Sequence, residues 1–488
     1  MHAHPSGSSA GRSPGRSLGL AALSAVIPGL AHWVAGRRRA AAIIFGLALL
    51  LLAALTFAAV TTSRVEFLRL AVRPGALALV IAGALAIALA WVVLITGSYR
   101  VLNPARVDGL GTAGIVAGLA VLCLLAAAPP VAVARYAYLQ RSLITDIFGD
   151  GSNGGLAAGE SGSGTLTDPW ANRDRVTILL LASDAGPDRT GVRTDSMVTA
   201  SIDTHTGDVV LLSLPRNLES VPLPPGPLRE AWPNGFPELL NGVYEYVTER
   251  PGLLAGYKDR GAEGIKRVVS YILGIPIDYY AMADLAGFEQ FVNALGGVTV
   301  TITSRLPIGG LLADGSRVPP AGYLEPGTRR LNGSDALWYA RSRRDTTDYD
   351  RMGRQRCLIG ALVRQADPLT VLTHFQELAS ATKRLASTDI PRALLPDLVT
   401  LGDKMHSGTN SLRSVAFVPP LINTGYPNFA MIRSIAQAAI RPVPAATPAP
   451  ATSPAPTRTP TSPARPRAKS TSPATSTPVD VDATCGIG

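Results

Sequence analysis

Four long apolar stretches come first along this chain, and a region of shorter apolar runs follows them. The apolar stretches cover residues 17–36, 40–62, 75–97 and 112–134. Each of the last three is long enough to cross the roughly 30 Å hydrocarbon core of a bilayer as a helix, so three transmembrane helices are predicted. The first stretch contains Pro28 and His32. It is predicted either to lie in the membrane interface or to form a fourth span.

The second half of the chain alternates two kinds of pattern. Short apolar runs bounded by turn residues predict strands at 176–182, 197–203, 209–214, 279–284, 298–302 and 415–418. Apolar residues at every third or fourth position predict helices at 262–273, 285–295, 350–367, 370–385 and 391–405. This alternation predicts an α/β (α+β) fold with a mixed central sheet flanked by helices. An N-terminal helical transmembrane region precedes that fold.

The composition shifts along the chain predict four regions. They are a membrane region with three or four helices at 1–138, a Gly/Ser-rich linker at 139–172, a folded domain at 173–440, and a tail rich in Pro, Thr, Ser and Ala at 441–488. The tail has too few apolar residues to bury a core, so it is predicted to be disordered.

The charges that flank the apolar stretches predict the orientation in the membrane. Arg37–Arg39 precede the second stretch, and Arg100 and Arg106 lie between the third and the fourth. Basic loops favour the cytoplasm, which places everything after residue 135 outside. The loop containing Arg64, Arg69 and Arg73 would then also lie outside, although it too is basic. The prediction is a multi-pass protein of the cell membrane with an extracytoplasmic domain.

The composition of the chain limits the kinds of partner that it is expected to bind. The chain has 45 basic residues and a net charge of +10, but only five of the basic residues are lysine. It shows no helix-turn-helix, zinc-binding or base-stacking pattern, so nucleic acid is not an expected partner. The three cysteines do not predict a disulfide framework. Cys357 is interpreted as a core residue, and Cys485 lies in the predicted tail.

Residues 338–355 carry the most informative chemistry. This segment holds five arginines and three aspartates and runs directly into an apolar helix, so its charges are expected to sit on a packed scaffold. Guanidinium forks match phosphate and pyrophosphate oxygens two at a time. Asp348 or Asp350 is predicted to cap the helix N-terminus, and Arg351 and Gln355 then lie on one face, four residues apart.

Other charged residues stand at the predicted strand ends. Asp184 follows the first strand, Arg193 and Asp195 precede the second, and Arg216 follows the third. Loops at strand ends are where α/β folds place chemistry. Asp184 and Asp195 either share a Mg²⁺, which takes one or two carboxylates plus phosphate oxygens and water, or are turn residues and ion-pair partners.

The order of these segments resembles the LytR–CpsA–Psr family of membrane-anchored cell-wall enzymes over about residues 176–365. The resemblance is carried by four blocks: Leu179–Asp184 with Arg193–Met197, Leu212–Arg216, Gly287–Val298, and Leu331–Arg343 continued through Asp348–Gln355. It implies a transferase that moves an anionic glycopolymer from a polyprenyl-pyrophosphate carrier to a peptidoglycan hydroxyl and leaves a phosphodiester. The family holds the pyrophosphate with arginines and Mg²⁺ and takes the prenyl chain into an apolar pocket.

The resemblance also implies roles for individual residues. Asp184 and Asp195 match the metal ligands, and Arg193 and Gln355 match substrate-binding residues. The residues that match the catalytic set are Arg216, Arg341, Arg343, Asp348 and Arg351. Asp348 would either orient the arginines or act as the base toward the acceptor hydroxyl.

This chain departs from the family at two positions, because Asn217 and Asn293 stand where the family commonly has aspartate. An amide does not take a proton as a carboxylate does, so an acid role at 217 is in doubt, and Asn293 is expected to be structural. Two other functions stay open: a hydrolase of the same lipid pyrophosphate with water as the acceptor, and a non-catalytic membrane sensor of cell-wall precursors.

Overall fold

A computed structural model describes residues 13–102, 110–149, 170, 173–184, 193–310, 316–374, 386–406, 410–441 and 476–486. The chain divides into two compact units, Met1–Thr145 and Asp146–Gly488, and each is described by itself.

The N-terminal unit is helical throughout its described residues. Its helices are α1 (Pro14–Val26), α2 (Leu30–Val34), α3 (Arg38–Thr61), α4 (Arg64–Ala71), α5 (Pro74–Val101) and α6 (Leu110–Ile147). Three segments are long and apolar enough to cross a membrane, namely Arg38–Thr61, Pro74–Val101 and Gly111–Ile147. The first apolar stretch is divided between α1 and α2. Neither piece reaches roughly 30 Å at about 1.5 Å per residue.

Helix α6 extends further than the sequence predicted. The apolar pattern predicted its end near residue 134, and the linker was predicted to begin at 139, but the helix continues to Ile147. The linker prediction is therefore wrong for residues 139–147. Nearly all of the Gly/Ser-rich stretch that follows lies outside the described residues.

The second unit contains all the described strands. The strands are β1 (Arg175–Ser183), β2 (Thr194–Asp203), β3 (Val209–Leu214), β4 (Tyr279–Ala283), β5 (Val298–Ile302), β6 (Leu306–Ile308), β7 (Gly322–Leu324), β8 (Gly327–Leu331), β9 (Ala386–Thr388), β10 (Leu412–Ala416) and β11 (Val479–Asp480). The helices are α7 (Pro227–Ala231), α8 (Val243–Thr248), α9 (Arg260–Leu273), α10 (Leu285–Ala294), α11 (Gly333–Arg341), α12 (Asp348–Gln365), α13 (Pro368–Thr373), α14 (Leu395–His406), α15 (Phe429–Ala439) and α16 (Val481–Cys485).

The central sheet is mixed, as the sequence predicted. Its strand order is β11-β10-β3-β2-β1-β4-β9, with β1 parallel to β4, β10 parallel to β3, and the other neighbours antiparallel. Strand β1 is buried on both faces: Leu179 and Leu181 pack into one core, and Ile178 and Leu180 pack against the other. Burial on both faces explains its almost uninterrupted apolar sequence.

Helix α12 connects two of the three cores of this unit. Leu358 and Ala361 are buried with α10, α11, β5 and β8, whereas Ile359 packs against the core beneath β2, β3 and α14. The charged N-terminus of α12 is therefore fixed by its apolar C-terminal half.

The strands and helices that the sequence predicted are confirmed within a few residues where they lie in the described parts of the chain. Much of the predicted helix 370–385 lies outside the described residues, and its start is α13.

The end of the chain contradicts the predicted tail. Residues 476–486 pack onto the domain: β11 pairs with β10, and Val481 is 1% exposed. Cys485 forms a disulfide with Cys357 of α12, although the sequence predicted no disulfide framework. These partners are 128 residues apart, so their proximity is invisible in the sequence. The remainder of the predicted tail lies outside the described residues.

The approach of α10 to α11 depends on Gly333. A Cβ built there would lie 2.0 Å from the carbonyl oxygen of Glu289, and the Gly333 N–H donates to Oδ1 of Asn293 at 2.7 Å, which fits the expected structural role of Asn293. Gly333→Ala is expected to lower the free energy of unfolding by roughly 3 kcal/mol, because two backbones must separate. The measurement is urea unfolding of the full-length protein.

Gly353→Ala is the matched control. Gly353 lies inside α12, and its nearest neighbour would be 3.9 Å from the new Cβ. Alanine favours a helix over glycine by about 0.5–1 kcal/mol, so this variant is expected to be as stable as the native protein or slightly more stable. Equal stability of the two variants would contradict the close packing of α10 and α11.

Candidate anion-binding site

Three guanidinium groups surround the carboxylate of Asp348 at the start of α12. Oδ1 of Asp348 lies 3.2 Å from Arg216 and 3.5 Å from Arg343, and Oδ2 lies 3.0 Å from Arg351. Arg216 follows β3, Arg343 follows α11, and Arg351 is one turn into α12. Folding therefore gathers arginines from three separate segments around one carboxylate.

Asp195 joins the same cluster through a β-bulge. The register of β1 and β2 shifts where Ala182 faces Ser196 and Ser183 faces Thr194, which leaves Asp195 as the extra residue. Bulges redirect side chains and are frequent beside functional sites. Oδ1 of Asp195 lies 2.6 Å from the Arg216 guanidinium. We refer to Asp195, Arg216, Arg343, Asp348 and Arg351 as the arginine cluster.

The cap of α12 differs from the prediction. Thr347 is the N-cap, and its hydroxyl accepts the N–H of Asp350 at 3.1 Å. The Asp350 carboxylate accepts the Thr347 N–H in return at 2.9 Å. The predicted N-cap, Asp348 or Asp350, is therefore wrong, although Asp350 takes part in the cap as the third helical residue. The carboxylate of Asp348, the first residue of α12, instead forms ion pairs with the arginines. The Thr-x-x-Asp spacing was the signal for this reciprocal arrangement.

The electrostatics of the cluster favour an anion. Three guanidiniums face two carboxylates, which leaves one positive charge in excess. Burial lowers the pKa of Arg216, but Asp195 and Asp348 outweigh it and raise the pKa above the usual value. Burial also lowers the pKa of Arg351, and Arg216 and Arg343 add to the lowering, so the net shift is downward despite Asp348.

Arg351 holds the most informative atom of the cluster. Its side chain is 4% exposed, and among the described residues its buried Nε–H has no hydrogen-bond partner. A buried donor left unpaired costs about 1–3 kcal/mol, and more when the group is charged. A bound anion would satisfy this donor and the excess charge together.

A narrow crevice, with no room for a water molecule, lies beside the cluster between α12 and strands β2 and β3. Its lining is polar at Asp195, Arg216, Arg351 and Gln355 and apolar at Met197, Val198, Leu214 and Met352. Arg351 and Gln355 share this face of α12, as their spacing predicted. Gln355 Nε2 donates to the Ala340 carbonyl at 3.3 Å, which ties α12 to α11.

Asp184 and Arg193 are joined to each other by two hydrogen bonds. The Asp184 N–H donates to the Arg193 carbonyl at 3.1 Å, and the Arg193 N–H donates to Oδ1 of Asp184 at 3.0 Å. The Arg193 side chain is 62% exposed and lies 3.3 Å from Glu245 of α8, a partner that no sequence signal indicated. Arg341, at the end of α11, has its guanidinium 5.6 Å from the Trp338 ring.

No group of three or more His, Cys, Asp or Glu residues that could hold a metal was found within the described parts of the chain. Asp184 and Asp195 supply two carboxylates beside the Ser183–Thr194 pair of the bulge. Their oxygens are the hard donors that Mg²⁺ takes, and Mg²⁺ commonly completes its shell with water and phosphate oxygens. The donor chemistry therefore fits the implied ion.

The fold and this cluster define a class: an α/β domain, in a chain that also contains long apolar helices, that presents an arginine-rich anion site. The family model described as "LytR_cpsA_psr family" matches residues 156–423, more than half of the chain. The chain belongs to that family.

Curated relatives and solved structures share this similarity. Biofilm regulatory protein A of Streptococcus mutans is 29% identical over 254 residues, which cover 50% of this chain and 58% of the relative. Polyisoprenyl-teichoic acid–peptidoglycan teichoic acid transferase TagU of Halalkalibacterium halodurans is 25% identical over 220 residues, which cover 45% of this chain and 62% of TagU. The chain thus spans about three fifths of these relatives' lengths. The crystal structure of Bacillus subtilis TagV is 22% identical with a TM-score of 0.39, and the match covers 54% of this chain and 96% of TagV.

Proposed function

We propose that this protein transfers an anionic glycopolymer from a polyprenyl-pyrophosphate carrier to a hydroxyl of peptidoglycan and forms a phosphodiester. The observation that carries the proposal is the arginine cluster with its excess positive charge and the buried Nε–H of Arg351.

The chemistry requires positioning and charge neutralisation more than a protein nucleophile. The acceptor hydroxyl oxygen forms a bond to the phosphorus that carries the glycopolymer, and the bond from that phosphorus to the bridging oxygen breaks. Polyprenyl phosphate leaves and takes up the proton that the hydroxyl loses. Arg216, Arg343 and Arg351 would hold the phosphate oxygens while charge moves to the leaving phosphate. Both oxygens of Asp348 contact guanidiniums, which favours the orienting role over the role of base.

The proposal includes Mg²⁺ bound by Asp184 and Asp195. The ion would neutralise pyrophosphate charge, and the neighbouring Arg216 would hold Asp195 in place through their 2.6 Å contact.

The proposal also includes an extracytoplasmic location for the second unit. The Cys357–Cys485 disulfide supports that location, because disulfides persist in oxidising compartments.

The product distinguishes transfer from the alternatives. Full-length protein in proteoliposomes receives a polyprenyl-pyrophosphate-linked oligosaccharide and peptidoglycan. Transfer yields a glycan conjugate joined by one phosphate, and hydrolysis yields an oligosaccharide phosphate with water as the acceptor. A sensor yields neither. Recovery of hydrolysis products alone, with peptidoglycan present, would defeat the transferase assignment.

Removal of Mg²⁺ is expected to lower the transfer rate by roughly 10²-fold or more, since a bound cation offsets several kcal/mol of developing charge. Chelation with EDTA and the Asp184→Asn/Asp195→Asn double variant are expected to give the same loss, and restored Mg²⁺ is expected to rescue only the chelated native protein. Asp174→Asn is the control, because the Asp174 side chain is 96% exposed. Full activity in EDTA would remove the ion from the proposal.

A further inference from the structure

The segment 419–428 borders the arginine cluster. Oγ1 of Thr424 lies 3.4 Å from Nδ2 of Asn217 and 3.4 Å from the hydroxyl of Tyr349. Asn217 directly follows Arg216, and Tyr349 directly follows Asp348. The segment therefore contacts the residues that directly follow two members of the cluster.

The backbone of this segment is held in place. The Glu219 N–H donates to the Thr424 carbonyl at 3.0 Å. Oδ1 of Asn423 accepts the N–H groups of Gly425 at 2.9 Å and Tyr426 at 3.2 Å. Tyr426 is nevertheless 88% exposed, so a fixed backbone holds its ring in solvent, two residues along the chain from Thr424.

The polar groups that border this segment are of the kinds that bind sugar hydroxyls. Oδ1 of Asn217 is buried and has no hydrogen-bond partner among the described residues. The carboxylate of Glu219 lies 3.9 Å from the position where a side chain at Gly425 would begin. An amide, a carboxylate and the hydroxyls of Thr424 and Tyr349 together offer both donors and acceptors. An aromatic face packs against the C–H face of a pyranose, and its edge tolerates water.

We propose that Asn217, Glu219, Tyr349, Thr424 and Tyr426 form a saccharide subsite that takes a neutral, hydroxyl-rich pyranose of the acceptor glycan. The inference deepens the proposed function and rests on it. Charge sorts the two substrates: the guanidiniums attract the pyrophosphate, whereas Glu219 disfavours an anionic glycopolymer on this side. The departure at Asn217 fits the subsite, because its amide offers a sugar hydroxyl both a donor and an acceptor.

The test measures saccharide binding and transfer with full-length protein in lipid nanodiscs. The binding probe is a neutral β-1,4-linked N-acetylglucosamine tetramer. Tyr426→Ala is expected to weaken tetramer binding at least tenfold, Tyr426→Phe to stay within twofold because the ring remains, and Glu219→Gln to weaken it severalfold. Tyr323→Ala, at a partly exposed tyrosine on β7, is the control and is expected to leave affinity unchanged.

Transfer kinetics assign the subsite to one substrate. Tyr426→Ala is expected to raise the acceptor KM about tenfold, with kcat and the donor KM within twofold. A rise in the donor KM alone, or unchanged tetramer affinity, overturns the subsite. If tetramer binding depends on Tyr426 but native protein forms no conjugate, the subsite stands and the proposed transfer fails. If conjugate forms but the tetramer binds Tyr426→Ala normally, the proposed transfer stands and the subsite fails.

Discussion

Replacement of Arg343 by alanine is expected to lower the transfer rate by roughly 10²–10³-fold, the usual loss when one preorganised donor to a developing negative charge is removed. Arg343 lies 3.5 Å from Asp348, and its side chain is 38% exposed, so truncation leaves little buried volume empty. The loss should therefore appear in activity and not in stability. The measurement is the initial rate of conjugate formation, with a thermal unfolding curve for each protein.

Arg305→Ala is the matched control. Arg305 is also a partly exposed arginine in one ion pair, 2.8 Å from Glu325, but it lies between β5 and β6, and its guanidinium stacks on Tyr323. Exposed pairs contribute about 0–1 kcal/mol, so neither variant should unfold the domain. Arg343→Lys keeps the charge and loses the fork, and we expect it to recover only part of the rate. Equal transfer rates for Arg343→Ala and Arg305→Ala would contradict a catalytic role for Arg343.

Removal of the disulfide is expected to produce the largest loss of stability. A Cys357→Ser/Cys485→Ser double variant should lose about 2–5 kcal/mol in the free energy of unfolding, because the bond closes a long loop and constrains the unfolded chain. The measurement is urea unfolding of full-length protein, followed by tryptophan fluorescence. Trp170 is a suitable reporter, since it is buried in the same core as Val481 of α16.

Two controls isolate the bond from the thiols. Cys123→Ser removes the free cysteine of the N-terminal unit and is expected to leave the unfolding of the second unit unchanged. A reducing agent should destabilise native protein and have no effect on the double serine variant. The Arg364–Asp482 ion pair and the β10–β11 pairing remain in that variant, so part of the attachment should persist. A double variant as stable as the native chain would refute a structural role for the bond.

Local pattern predicted most of the regular structure because local physics decides it. The apolar run of β1 shows a strand buried on both faces, and the spacing of Ile265, Val268, Val269 and Ile272 shows one buried face of α9. The bounds of β3 and β5 agree with the prediction to the residue. The same reasoning failed at residues 476–486, because β10 and Cys357, far away in the chain, order that short segment. It also failed at the end of α6, where Leu139, Leu143 and Ile144 continue the helix with one apolar face after the uninterrupted apolar run has ended.

The candidate site divides in the same way. The sequence by itself determined the candidates for phosphate binding, because an arginine-rich segment that leads into an apolar helix is expected to be fixed on a scaffold. Only the tertiary structure decided that Arg216, Arg343 and Arg351 share the carboxylate of Asp348, and that a bulge turns Asp195 toward them. Cys357 and Cys485, like Thr424 and Asn217, meet only in the fold. The physical reason is that such contacts depend on strand order and helix packing, and these are set by the burial of the whole core and leave no trace in local spacing.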